Sequence, residues 1–279
     1  MFVWRQLIIL NFNTQQPTLS LRNPFNIGRI FYGSAVAETG FHTMYYHDFP
    51  YWLFPPKHSW IPGIIPLAYI SGALLIIAGV CIVVEKKTRP VTLLLGAVLL
   101  IVFCFCFIPY QFMAASRYLN LLQWENAEKE LAFASGALVI AGCYTEKNEK
   151  PFIRLLSKLV ALGAISFSLM MISFGTLHFL HAKDVAEYVT PWIPYHLFWA
   201  YLAGAALIGS GVAIIFKIRV GLIAALLGAM LLSWVILLHI PRIIASPVAY
   251  LGSEITSAFL AFAYSGIAFV IAGAARKYG

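Results

Sequence analysis

The chain has 279 residues, 61% hydrophobic and 11% charged, with a mean hydropathy of +0.83 and a net charge of +8. Soluble domains run near half apolar and a quarter charged, so a soluble enzyme and a disordered chain are both excluded. The basic residues sit in short clusters between apolar runs, which assigns them to the flanks of membrane spans and not to nucleic acid.

Residues 1–26 form an N-terminal segment expected to be cytoplasmic or interfacial. Its first ten residues are apolar, but the run is short and lacks a small-residue cleavage site, so no cleaved signal is expected. An apolar stretch at 27–46 carries Arg29 and Glu38 and reads as a weaker span. Clear runs follow at 61–84, 91–109 and 131–144. A basic linker at 146–158 precedes three more clear runs, at 155–181, 192–216 and 220–241. The last stretch, 254–275, is rich in small residues and again weaker. Lipid offers no partner for backbone N–H and C=O groups, so each run should be a helix of about 20 residues. The expected fold is an all-α integral membrane protein with eight transmembrane helices. Four cysteines, none in a C-x-x-C pair, read as small apolar packing residues.

Charge gives the orientation. Of 19 Lys and Arg, 14 fall in the N-terminal part through Arg29, 85–89, 146–158, 217–219 and the C-terminal tail, all on one side of the membrane. The positive-inside rule places that side, with both termini, in the cytoplasm. All seven histidines fall on the other, outer side.

The second half repeats the first at a spacing of about 132 residues. Trp60-Ile61-Pro62 returns as Trp192-Ile193-Pro194, Leu95-Gly96-Ala97 as Leu227-Gly228-Ala229, and Ile108-Pro109 as Ile240-Pro241. Upstream, His42 pairs with His178, and downstream Glu125 pairs with Glu254. An even number of helices per unit predicts a parallel repeat about an axis along the membrane normal. The units are 27–145 and 159–279, expected as two four-helix bundles side by side.

In order, these motifs are a His near the end of the first helix, a Pro/Trp-rich loop, Y-x-x-G-A, H-x-P-R, and W-x-N-x-x-K-x-L-A. They resemble the DoxX-like membrane protein family in tandem. The second unit supplies His178, Trp192, Tyr201, Gly204 and His239-Ile240-Pro241-Arg242. The first supplies His42, Trp60 and Trp124-Glu125-Asn126. Phe107 and Tyr110 replace the His and Arg of H-x-P-R in the first unit, and Gly252-Ser253-Glu254 shortens the last motif in the second. The resemblance implies a multi-pass protein of the bacterial cytoplasmic (inner) membrane. It also implies the neighbourhood of quinone- and sulfur-compound-oxidising systems.

Ionisable groups at membrane depth are costly and face a cavity or one another. Arg242 and Glu254 are read as an ion pair, with His239 one helical turn inward and His178 arriving from the fifth helix. The candidate ligand-binding set is His178, His239, Arg242, Glu254, His42, Glu125, Trp60 and Trp192. Each has a structural alternative. Tryptophans line membrane interfaces, carboxylates cap helix N-termini, and histidines bond backbone carbonyls. A metal or haem site is not expected, because His181 and His239 have Tyr45 and Phe107 as counterparts and no H-E-x-x-H occurs. Two functions remain open. One is an accessory membrane redox component binding a quinone or lipid-like ligand at the periplasmic side, beside a soluble periplasmic redox partner. The other is a non-enzymatic scaffold or assembly factor for a periplasmic or secreted protein.

Overall fold

The computed structural model describes residues 23–55, 63–113, 120–146, 148–245 and 252–275, and no strand occurs among them. Trp60, His58 and most of the N-terminal segment lie outside the described residues. The long helices are α1 (Pro24–Tyr45), α2 (Ile64–Val83), α3 (Thr88–Met113) and α4 (Glu125–Gly142). They are followed by α5 (Pro151–Leu180), α6 (His196–Ile215), α7 (Val220–Ala245) and α8 (Ser253–Ala275). All but α1 and α4 are long and apolar enough to cross a membrane, six helices in total. The chain is thus an all-helical, multi-pass membrane protein.

Two segments differ from their reading in the sequence. The run at 131–144 looked like a clear span and 254–275 a weak one, yet α8 is among the six and α4 is not. The reason is where each helix starts. α4 begins at Glu125, so its first turns carry Glu125, Glu128, Lys129 and Glu130, whereas α8 carries one acid, Glu254. Burial compensates for that polarity, because every residue of α4 from Ala132 to Gly142 is buried. The apolar helices face outward instead: α2 exposes Ile65, Ile70, Leu74, Ile77 and Val80. The order is the reverse of a soluble bundle, as lipid requires.

The halves interleave where the sequence reading expects two bundles side by side. α1 packs along α2 and also along α8, while α5 packs along α6 and also along α4. α3 lies on α4, α7 lies on α8, and α4 touches α8. The first helix of each half therefore rests on the last helix of the other.

Glycines set how closely these helices approach. A Cβ on Gly28 would fall on the Gly266 carbonyl and 2.7 Å from the Val270 N of α8. In the other half, a Cβ on Gly163 would stand 2.9 Å from the Val139 N of α4. Gly40 meets the backbone of Gly72 and Ile76, and Gly175 meets that of Gly204 and Ile208. No hydrophobic drive brings helices together within lipid, so backbone-to-backbone packing must supply the attraction.

Local geometry also recurs along the chain. The π-turn Phe103–Phe107 in α3 returns 132 residues later as Val235–His239 in α7. α2 and α6 end in the same Schellman arrangement, with Lys86 N–H donating to Cys81 O at 2.9 Å and Ile218 N–H to Ala213 O at 2.8 Å. The left-handed residue at each end is charged and not glycine: Glu85 with φ 60° and Lys217 with φ 58°.

Glu85 is held there by ionic contacts. Buried Arg29 of α1 donates to Ile82 O, to Val83 O at 2.8 Å, and pairs with Glu85 at 3.3 Å. A cation at a helix C-terminus meets orphan carbonyls and the negative end of the dipole. Arg89 of α3 does the same for α4, donating to Ala141 O and Tyr144 O and pairing with Glu149. Burial, and then the hydrogen bond that Tyr144 donates to Glu85 at 2.8 Å, push the Tyr144 phenol well above its usual range.

The seams predict sharply different tolerance among glycines. Gly28→Val and Gly163→Val should each lower the melting temperature in detergent, by the equivalent of about 1–3 kcal/mol of overpacking. Gly209→Ala should leave it unchanged or slightly raised, because nothing lies within 4 Å of a Cβ there. Equal melting temperatures for Gly28→Val and wild type would refute close α1–α8 packing.

Candidate functional site at the histidine-bearing end

The π-turn of α7 positions the polar groups at the end of the molecule opposite Arg29 and Arg89. One extra residue in the turn shifts the register of side chains beyond it, and His239 is the last residue of that turn. Arg242 follows within the final turn of α7 and reaches across to α8. Its Nε donates to Glu254 Oε2 at 3.0 Å and its Nη2 to Oε1 at 2.5 Å, a bidentate pair. The guanidinium also lies over the Tyr188 ring, 4.5 Å from its centroid. These two bonds leave Nη1 without a hydrogen bond among the described residues.

His239 lies below this pair, within electrostatic reach of Glu254, Arg242 and Lys129. Its Nδ1 is buried and has no hydrogen-bond partner among the described residues. A buried polar atom left unpaired costs about 1–3 kcal/mol, so this nitrogen is the anomaly of the site. His178 is better satisfied. Its Nδ1 donates to Phe174 O at 2.8 Å and its ring stacks on Trp234 of α7 at 6.0 Å. With that proton placed, Nε2 is the acceptor nitrogen.

The remaining sequence candidates are distributed elsewhere. Glu125 pairs with Lys129 on its own helix, not with an arginine, since Tyr110 stands where Arg242 stands in the other half. His42 is buried on α1, with its ring against Tyr46 at 4.5 Å. Its expected equivalence to His178 is shifted by one residue. Gly40 meets Gly72 as Gly175 meets Gly204, so the residue matching His178 in helix register is Thr43. Trp192 is 65% exposed and sits outside the polar cluster, as an interfacial aromatic would. Trp60 lies outside the described residues.

The structure therefore gathers Arg242 and Glu254 directly, with His239 beneath them, and His178 of α5 joins through its ring contact with Trp234 of α7. Tyr188, Trp234 and Lys129 belong to the same neighbourhood and were not singled out as site residues by sequence. Tyr188 follows the short helix Ala182–Glu187 in an irregular connection, where no periodicity signals which way a ring faces. Among the described residues, no group of three or more His, Cys, Asp or Glu is arranged to hold a metal.

Comparison of the chain with protein-family models, with curated proteins and with solved structures gives no match.

The bidentate pair is partly exposed, at 32% for Arg242 and 18% for Glu254, so solvent discounts its strength. Glu254→Gln should cost about 1–2 kcal/mol, chiefly by leaving the guanidinium with one neutral acceptor. The exchange Arg242→Glu with Glu254→Arg should recover part of that loss. A double-mutant cycle with zero coupling in detergent would show that the two side chains do not meet.

Proposed function

We propose that the chain is a tandem, eight-span membrane protein of the DoxX-like type whose outer end binds a lipid-soluble ligand bearing carbonyl or hydroxyl oxygens. A quinone serving a membrane redox system, with this chain as accessory component, is the ligand that the donor set fits. The observation that carries the reading is the buried Nδ1 of His239, without a partner among the described residues and beneath an arginine whose Nη1 makes no hydrogen bond among them. His239 would hold one oxygen of the ligand, and Arg242, kept in place by Glu254 and Tyr188, would donate Nη1–H to the same head group. A quinone supplies two-electron, two-proton chemistry when bound. For its part, the imidazole would donate an N–H to that oxygen.

The parallel repeat is supported by the π-turns, the paired Schellman ends and the glycine seams, which recur in register between the halves. In this reading α1 and α4 also cross the membrane, shielded by the apolar helices around them. The basic end is cytoplasmic and the histidine-bearing end periplasmic. Lys183→Cys should then be labelled by an impermeant maleimide on intact spheroplasts, and Lys87→Cys only after lysis. Reversed labelling would overturn the orientation.

Trp234 beside His178 gives an optical test, because a quinone head group quenches indole fluorescence. Decylubiquinone titrated into purified protein should quench saturably. His239→Phe keeps the residue that the first half carries at the matching position, Phe107, and should weaken the apparent affinity at least tenfold. Arg242→Gln should abolish saturable quenching. Equal titrations for wild type and both variants would remove the ligand site and favour the scaffold reading, to which the exposed Trp192, Tyr195 and Phe198 would contribute a docking surface.

A further inference from the structure

The most unusual side chain outside that site is Glu130 of α4. It is fully buried, and both carboxyl oxygens are without a hydrogen-bond partner among the described residues. The hydroxyls nearby are committed elsewhere. Tyr32 of α1 donates to Phe133 O at 2.6 Å, Tyr264 of α8 to Lys129 O at 3.2 Å, and Ser135 to Leu131 O at 2.7 Å. The titratable groups that sense Glu130 from packed elements are Tyr32 of α1, Cys106 in the π-turn of α3, and Tyr264 of α8. On its own helix, Glu125 is paired with Lys129, and Glu128 accepts from Ser173 of α5 at 2.5 Å. No hydrogen bond reaches either carboxyl oxygen among the described residues.

An ionised carboxylate stripped of water and donors costs far more than the neutral acid, so such a group is carried protonated. Packing considerations alone would favour leucine here, since a neutral carboxyl still loses its hydrogen bonds to water. Intramembrane acids of this kind mark proton pathways. We propose that Glu130 is a proton-binding site in the helix core, a carboxylic acid that exchanges its proton with the aqueous phase at the histidine-bearing end. That end is the nearer one. Glu130 lies about 7 Å along the helix from Glu125, against about 18 Å to Gly142. Glu125 itself is 41% exposed. The site is independent of the quinone reading, because its ligand is the proton alone.

Infrared difference spectroscopy on the full-length protein in lipid nanodiscs tests this. The wild type should show a protonated-carboxyl C=O stretch at neutral pH that shifts down within minutes of transfer to D2O. Glu130→Gln should lose that band, and Glu130→Asp should keep it at a displaced frequency. The aspartate variant also serves should the glutamine variant fail to fold. A spectrum in which neither variant changes the acid band would show Glu130 to be ionised and overturn the proposal. A band that belongs to Glu130 but does not shift in D2O would overturn it equally, leaving a sealed structural acid.

Discussion

Backbone-to-backbone contact at glycine is the constraint on which the rest of this structure depends. In lipid, an apolar side chain gains nothing by leaving its surroundings for another helix, so close approach and polar contacts must hold the bundle. The seams at Gly28, Gly40, Gly163 and Gly175 bring helix axes together in pairs and fix their register. That register determines which polar side chains meet at either end. Arg29 can cap α2 because the Gly33–Gly79 and Gly40–Gly72 contacts lock α1 along it. His178 reaches Trp234 by the same logic from α5.

The two ends use their charges differently. At the basic end, Arg29 and Arg89 bond carbonyls and carboxylates as helix caps, although the buried Arg29 Nε has no partner among the described residues. At the other end, among the described residues, Arg242 Nη1 makes no hydrogen bond and His239 Nδ1 has no partner. A cation count treats both ends alike. Their hydrogen bonds differ: Arg29 and Arg89 cap helix C-termini, whereas Arg242 pairs with one carboxylate above the buried His239.

Much of this was legible in the sequence and some was not, for identifiable reasons. The membrane class and the extents of α2, α6 and α7 follow from run length and from Pro and Gly at the boundaries. The Arg242–Glu254 pair was legible too, because both flank one short connection. The one-residue offset between His42 and His178 was not, since a histidine near the end of each first helix says nothing about which glycine that helix faces. The π-turns were equally hidden, because inserting one residue within an apolar run leaves its composition unchanged. The charged first turns of α4 were not part of the run read as a span, because burial by neighbours, which no single-segment hydropathy records, permits them.

The halves also diverge at equivalent places, and the divergence has a physical pattern. Around the π-turn of α7 the ionisable residue is on the turn itself, His239. Around that of α3 the turn carries Phe107, and the ionisable residue faces it from α4 as Glu130. Each half thus sets one unpaired titratable group against a bulged helix, where backbone geometry already departs from the regular ladder. A strictly symmetric ancestor with histidine or acid at both positions of both halves would bury four such groups and their desolvation costs together. Splitting the roles keeps a single such group beside each π-turn. It also leaves one half with a nitrogen open to a ligand and the other with a carboxyl whose only fitting ligand is a proton.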